Sequence, residues 1–189
     1  MTIVGVDEVG RGAWAGPVVA GAVALAVPIP GLKDSKQLSK AQRETLAALI
    51  HQQALAVGLG WVAPAEVDNL GLTEAVRLAM QCALEQIAVA FDELVIDGNY
   101  NFFPQDPRAQ AVIKADASVS AVSAASIVAK VARDRYMAEL GSAYTVYEFA
   151  KHVGYGTALH RAKLVAYGVC DQHRLSYKPV RALLGTIQA

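Results

Sequence analysis

The run Ile3-Val4-Gly5-Val6-Asp7-Glu8-Val9, followed at once by Gly10-Arg11-Gly12, constrains the fold more than any other stretch of the chain. A short, β-branched segment that stops at glycines has the pattern of a buried strand reaching a turn. Two adjacent acids at its end serve no packing purpose there. The remaining chain alternates strand-like and helix-like patterns. Strands are expected at 17–25, at Glu93–Asp97 and at 111–114, with a brief one at 61–63. Helices are expected from the N-cap Ser39 to about 57, closed by Gly58 and Gly60, then over 73–91 and 120–140. Strands alternating with helices imply an α/β domain around a central sheet. With 54% hydrophobic residues in 189, one domain spanning 1–189 is expected.

Charge sums to zero, 17 basic against 17 acidic groups, but it is unevenly spread. Residues 1–113 hold 7 basic and 12 acidic side chains, whereas 114–189 hold 10 and 5. Between Lys151 and Arg181 the only acid is Asp171, so this segment suits a polyanion. Cys82 and Cys170 match neither a disulfide framework nor zinc-ligand spacing and read as free thiols. The four histidines show no ligand spacing and are expected on the surface or in loops. The uncharged run 12–32 is broken by Gly16-Pro17, Gly21, Pro28 and Pro30, which excludes a membrane span. Acids at positions 7 and 8 are unlike the basic start of a signal peptide. A cytoplasmic monomer is expected.

Acids recur where open α/β sheets place their ligands. Asp7 and Glu8 end the first strand, Asp97 ends a central one, and Asp116 follows another. Carboxylates gathered together raise one another's pKa unless a cation compensates. Hard divalent ions do so, and two of them can clamp the attacking and leaving oxygens of a phosphoryl displacement. Adjacent residues on a straight strand point to opposite faces, so Asp7 and Glu8 share a site only if the strand twists at its end or if Glu8 acts through water or its carbonyl. Asp134 is a rival fourth acid, but it lies in a helix between Arg133 and Arg135, where ion pairing is favoured. In the 120–140 helix, Ser123, Ser126, Lys130 and Arg133 fall on one stripe, expected to be wet or to face a ligand. The spacing Gly10-x-Gly12-x-x-x-Gly16 with Asp34 loosely imitates a dinucleotide fingerprint. That fingerprint must open a helix, whereas Gly16-Pro17 leads into a β-branched run, so an oxidoreductase is set aside.

These residues carry a resemblance. Val4 through Gly12 with Ala15-Gly16-Pro17-Val18 resembles the opening signature of ribonuclease HII, the type 2 ribonuclease H family. Family-like blocks continue in order: Leu32-Lys33-Asp34-Ser35-Lys36-Gln37-Leu38, Ile96-Asp97-Gly98-Asn99, Lys114-Ala115-Asp116, Ser123 through Arg135, His152 through Thr157 with His160, and His173 through Pro179. The resemblance implies a ribonuclease H-like mixed sheet flanked by helices, with the C-terminal helices forming a basic flank. It implies an endonuclease acting on RNA/DNA hybrids and on single ribonucleotides in duplex DNA, leaving 3′-hydroxyl and 5′-phosphate ends. Asp7, Glu8, Asp97 and Asp116 match the family's carboxylates and would hold two Mg²⁺ or Mn²⁺ ions. Gly10, Arg11 and Gly12 match the turn that senses the 2′-hydroxyl, and Tyr155 matches a tyrosine used near the RNA-to-DNA junction. Ser35 and Lys36 are expected at the substrate, with Lys36 on phosphate. Ala13-Trp14 and Ala115 depart from the commoner family residues without touching an acid. The tail 184–189 lacks the paired aromatics of a sliding-clamp peptide, so clamp tethering is not expected.

Overall fold

The computed structural model describes residues 1–33 and 35–187, the last three by backbone alone. Asp34, expected in the substrate block, and Gln188 and Ala189 at the end of the tail lie outside the described residues. In chain order the elements are β1 (Ile3–Val9), β2 (Val18–Leu25), α1 (Lys40–Gln53), β3 (Ala56–Val62), α2 (Pro64–Leu70), α3 (Leu72–Leu84), β4 (Glu93–Asp97), β5 (Ala109–Val112), α4 (Ser120–Ala143), α5 (Phe149–His152), α6 (Ala158–Tyr167) and α7 (Lys178–Ile187). Contacts divide the chain into two compact units. The first comprises Met1–Val9, Val19–Trp61 and Arg77–Val131; the second comprises Gly10–Val18, Val62–Val76 and the chain from Ala132 on.

The first unit is organised by a five-stranded sheet in the order β3-β2-β1-β4-β5. β1 runs antiparallel to β2 and parallel to β4, and β4 is parallel to β5. The sheet is therefore mixed, with helices against it, as the α/β pattern implies. β2 is buried at all eight positions, which explains its near-continuous apolar sequence. Its core joins Val23 and Leu25 to Ile50 of α1 and to Ala124, Ala125, Ile127 and Val128 of α4. α4 lies against β1 and β2 through small residues. A Cβ at Gly5 would collide with the Ala121 and Val122 backbone, and one at Gly21 would approach the Ala125 carbonyl at 2.5 Å.

Two expected helices are shorter than their patterns suggest. α1 starts at Ser39, whose hydroxyl accepts from the Gln42 N–H while Gln42 accepts from the Ser39 N–H, a reciprocal cap. It ends at Gln53, and Gly58 and Gly60 belong to β3. These glycines admit the backbone of α3, since a Cβ on either would strike the carbonyl of Ala83 or Ala79. α3 likewise ends at Leu84, short of Ile87 and Phe91.

The second unit contains α5, α6 and α7 and two apolar clusters. Ala15, Met137, Tyr147 and Phe149 form one; Trp14, Leu164 and Val180 form the other. α2 also belongs to it. Asp68 of α2 accepts from the Leu175 and Ser176 N–H groups at 2.7 and 3.0 Å and from the Ser176 hydroxyl. Among the described residues no helix is long and apolar enough to cross a membrane.

Candidate active site

Three pieces of sheet chemistry bring the predicted acids to the carboxyl ends of strands in the first unit. β1 carries Asp7 and Glu8. Its parallel neighbour β4 carries Asp97, one residue beyond the Val6–Ile96 pair just as Asp7 is. Asp116 sits on the short 3₁₀ turn Ala115–Ala117 that follows β5; the strand expected to reach 114 ends at Val112, and Lys114 turns the chain with φ 56°.

Asp7 and Asp116 are each only 7% exposed, whereas Glu8 and Asp97 are half-buried. The Asp97 carboxylate accepts the Ala115 N–H at 2.8 Å, so Ala115, expected to touch no acid, does so through its backbone and ties β4 to the turn bearing Asp116. From α4, the Ser123 hydroxyl donates to the Asp116 carbonyl at 2.5 Å. Asp7 accepts the Glu8 N–H at 2.7 Å and hydrogen-bonds Ser126. Ser126 Oγ lies 3.0 Å from Ser35 Oγ, which links the buried Ser35 to Asp7. Lys36, beside it, is exposed. Of the two expectations for the stripe, a wet face does not hold for Ser123 and Ser126, which are buried; they bond instead to Asp116 and Asp7.

Burial pushes the Asp7 carboxyl up to about 8; the charges of Glu8 and Asp97 add to this, while the Ser126 and Glu8 N–H hydrogen bonds pull the other way. A buried acid in the field of two others is a site short of positive charge. Asp7, Glu8, Asp97 and Asp116 are the residues that could hold a hard cation, since oxygen donors are what such ions take. Among the described residues no three metal-ligating side chains are preassembled as a metal centre, and the raised Asp7 carboxyl is the observation that fits a cation.

The predicted Gly10, Arg11, Gly12 and Tyr155 belong to the second unit. Arg174, with no exposed surface, donates from Nη1 to the Gly10 carbonyl at 2.6 Å and the Arg11 carbonyl at 3.1 Å. It also donates from Nε and Nη2 to the Gly16 carbonyl. Tyr177 donates its hydroxyl proton to the Arg11 carbonyl at 2.5 Å. Because peptides are planar and trans, this turns the Arg11 and Gly12 N–H groups away from Arg174. The two glycines differ. Gly10 has φ 91° and a Cβ there would meet Arg133 and the Pro17 carbonyl, whereas a Cβ at Gly12 would meet nothing within 4 Å.

Arg133 is equally buried and donates to the carbonyls of Pro17, Ala15 and Val153 at 2.9, 3.1 and 2.8 Å. It was expected on the polar stripe of α4, yet it serves as an internal clamp. Burial draws its guanidinium down to about 10. Asp134 lies in this unit, and its charge acts on Arg133. Nor is the basic 151–181 segment wholly available to a polyanion, since Arg174 is consumed by the backbone.

The histidines correct the sequence expectation most plainly. His152, His160 and His173 are 5%, 0% and 2% exposed and form one cluster with Tyr147 and Phe149. Burial, first among the causes, lowers the His160 and His173 imidazoles to about 4. Their positions along the chain carry no ligand period, and His173, set in Asp171-Gln172-His173-Arg174, carries no local sign of burial.

The mixed five-stranded sheet flanked by helices is the fold of the ribonuclease H class. Residues 4–180 match the Ribonuclease HII family. The chain is 47% identical over 192 residues to the ribonuclease HII of Polynucleobacter necessarius subsp. necessarius (strain STIR1), covering 98% of this chain and 96% of that protein. It is 49% identical to that of Dichelobacter nodosus (strain VCS1703A), covering 96% and 97%. The crystal structure of ribonuclease H2 from Pyrococcus horikoshii OT3 superposes with a TM-score of 0.83 at 26% identity, covering 100% and 99% of the two chains. Bst-RNase HIII, solved in complex with Mn²⁺, shares the fold at a TM-score of 0.76 and 21% identity, covering 100% of this chain and 70% of that one. The chain belongs to the ribonuclease HII family, and it is a ribonuclease H hydrolase acting on RNA/DNA hybrids.

Proposed function

We propose that this enzyme cuts on the 5′ side of single ribonucleotides embedded in duplex DNA as well as within longer hybrids, leaving 3′-hydroxyl and 5′-phosphate ends. The observation that carries the reading is Asp7, a buried carboxyl at a strand end that burial, with the charges of Glu8 and Asp97, raises to about 8, an environment that a cation would relieve. Asp7, Glu8, Asp97 and Asp116 would hold two Mg²⁺ or Mn²⁺ ions. Such ions supply charge stabilisation at the phosphoryl group and a water acidic enough to attack at neutral pH.

The protein's own groups supply orientation and selection. Ser126 and the Glu8 N–H orient Asp7, and the Ala115 N–H orients Asp97. With their carbonyls held by Arg174 and Tyr177, the Arg11 and Gly12 N–H groups are donors suited to a ribose 2′-hydroxyl, the group that separates RNA from DNA. The open space at Gly12 suits close approach of a sugar. Tyr155 would stack at the RNA-to-DNA junction and Lys36 would contact the phosphate backbone, while the buried Ser35 would serve the substrate site from behind, through Ser126 and Asp7. We read 1–189 as one catalytic domain, monomeric and cytoplasmic, serving the removal of ribonucleotides from DNA.

The test is a DNA duplex carrying one ribonucleotide, beside an all-DNA duplex, with Mg²⁺, Mn²⁺ or a chelator. Metal-dependent cutting 5′ of the ribonucleotide alone is the expected result. A duplex that is bound yet uncut with either ion would overturn the assignment in favour of a hybrid-binding protein.

A further inference from the structure

The buried histidines of the second unit are hydrogen-bonded in a fixed direction. The Cys170 N–H donates to His173 Nδ1 at 2.9 Å, closer than the Cys170 Sγ at 3.2 Å and the Cys170 carbonyl at 3.3 Å. A backbone N–H can only donate, so in neutral His173 the proton resides on Nε2. That Nε2 lies 3.1 Å from His160 Nε2, which must accept, leaving the His160 proton on Nδ1. His160 Nδ1 lies 3.0 Å from the Tyr155 carbonyl and donates to it. His152, stacked on His160 with ring centroids 4.2 Å apart, is ordered the same way. It accepts the Gly154 N–H at Nδ1 and donates from Nε2 to the Tyr147 carbonyl.

The loop at the end of this chain does not hold its shape by local preference. Val153 is β-branched yet has φ 43°, and Gly154 follows with φ 86°. A β-branched residue in the left-handed region persists only when its surroundings over-determine it. Here Arg133 binds the Val153 carbonyl, and the Trp14 N–H binds the Gly154 carbonyl at 2.8 Å. The Thr157 N–H at 2.8 Å joins His160 on the Tyr155 carbonyl.

We propose that His173 and His160 are positioning residues: the one-way chain from the Cys170 amide through both imidazoles to the Tyr155 carbonyl fixes the backbone from which Tyr155 reaches the ribonucleotide. The inference rests on the reading of Tyr155 as a junction residue. It assigns the two histidines no contact with substrate or metal. It requires both to be neutral, with opposite tautomers, because a proton on His160 Nε2 would face the His173 Nε2 proton.

Two substitutions separate the links. Asparagine at 160 keeps an amide donor near the Nδ1 position and loses the bond to His173; glutamine reaches the Nε2 position and loses the Tyr155 bond. On the single-ribonucleotide duplex, His160→Gln, which loses the Tyr155 link itself, is expected to lower kcat/KM by about tenfold or more, and His160→Asn, which keeps that link but cuts the chain at His173, by a smaller factor of about threefold. In a Tyr155→Ala background, His160→Gln is expected to add nothing. Equal losses for the two variants, or a glutamine effect that multiplies with Tyr155→Ala, would overturn the proposal while leaving Tyr155 its role. If Tyr155→Ala cuts like the parent, the tyrosine reading itself falls and takes the proposal with it. Histidine side-chain ¹⁵N shifts of the unaltered protein give a measurement independent of variant folding: Nδ1–H for His160 and Nε2–H for His173 are expected, and the reverse pair refutes the chain.

Discussion

The two units solve the burial of charge in opposite ways. In the first, Asp7 is buried against other acids and hydrogen-bonded by too few donors to offset them, so its carboxyl rises to about 8. In the second, Arg133 and Arg174 are fully buried yet surrounded by backbone carbonyls, and the histidines are held neutral in a completed network. One region gathers like charges around a buried carboxyl, and the other surrounds buried cations with its own main chain. Substitution should therefore stabilise the first at the expense of activity and simply damage the second.

The largest effect is expected at Asp7. Asp7→Asn should abolish metal-dependent cutting, a loss of about three orders of magnitude or more, equivalent to at least ~4 kcal/mol of barrier, in a single-turnover assay. The same variant should be more resistant to urea than the parent in chelator at pH 8, because the buried charge is gone. Metal-free parent protein should lose stability as pH rises from about 4 to about 8, since the folded state holds the Asp7 proton that the unfolded state releases. The slope is about 1.4 kcal/mol per pH unit, and added Mg²⁺ should flatten it.

Arg174→Met is the matching break in the second unit. Removing the donors of the Gly10, Arg11 and Gly16 carbonyls should cost about 3–5 kcal/mol of unfolding free energy, read as an earlier urea midpoint. The histidines give a pH dependence of opposite sign to that of Asp7. Their folded values of about 4 lie below the ordinary 6.5, so the unfolded chain takes up protons first and stability falls as pH drops from 6.5 to 4. Each contributes about 1.4 kcal/mol per pH unit in that window. The Asp7→Asn background, without the opposing slope, should display it in chelator.

The smallest effects lie in the glycine turn. Gly10→Ala should lower stability by about 1–3 kcal/mol, whereas Gly12→Ala should change it by less than about 0.5 kcal/mol. If Gly12 faces the sugar, its alanine variant should nonetheless cut the single-ribonucleotide duplex more slowly. Equal thermal midpoints for the two variants would remove the distinction between them.

Much of this was legible in the sequence, and the failures share a cause. β1 and β4 match Ile3–Val9 and Glu93–Asp97 because a β-branched run bounded by glycine has one reading. Gly58 and Gly60 read as a helix stop in the sequence, whereas they thin a strand for α3, so α1 is shorter than its pattern. α2 carries a start signal that apolar periodicity does not reveal: Pro64 at its first position and Glu66, which accepts the Ala63 N–H at 3.1 Å. The acids stand out as a group in the sequence because Asp7 and Glu8 lie near the end of β1, Asp97 ends β4 and Asp116 follows β5 on a turn. The clamp does not: Arg133, Arg174 and the three histidines look solvated in a linear text, and only the folded chain supplies the carbonyls that make their burial tolerable.

The seam at Gly5 and Gly21 carries a last consequence. Where α4 meets β1 at Gly5 the first atoms an added Cβ would strike are backbone atoms of Ala121 and Val122, which no rotamer change can move aside. That seam is a hard stop, incompressible on the scale of a methyl group. Ser123 and Ser126 are carried on the helix that it indexes, so their reach to Asp116 and Asp7 is set by the thickness of two peptide planes. A single methyl added at Gly5 would act as a shim, and its mark would be a shift in the Asp7 titration.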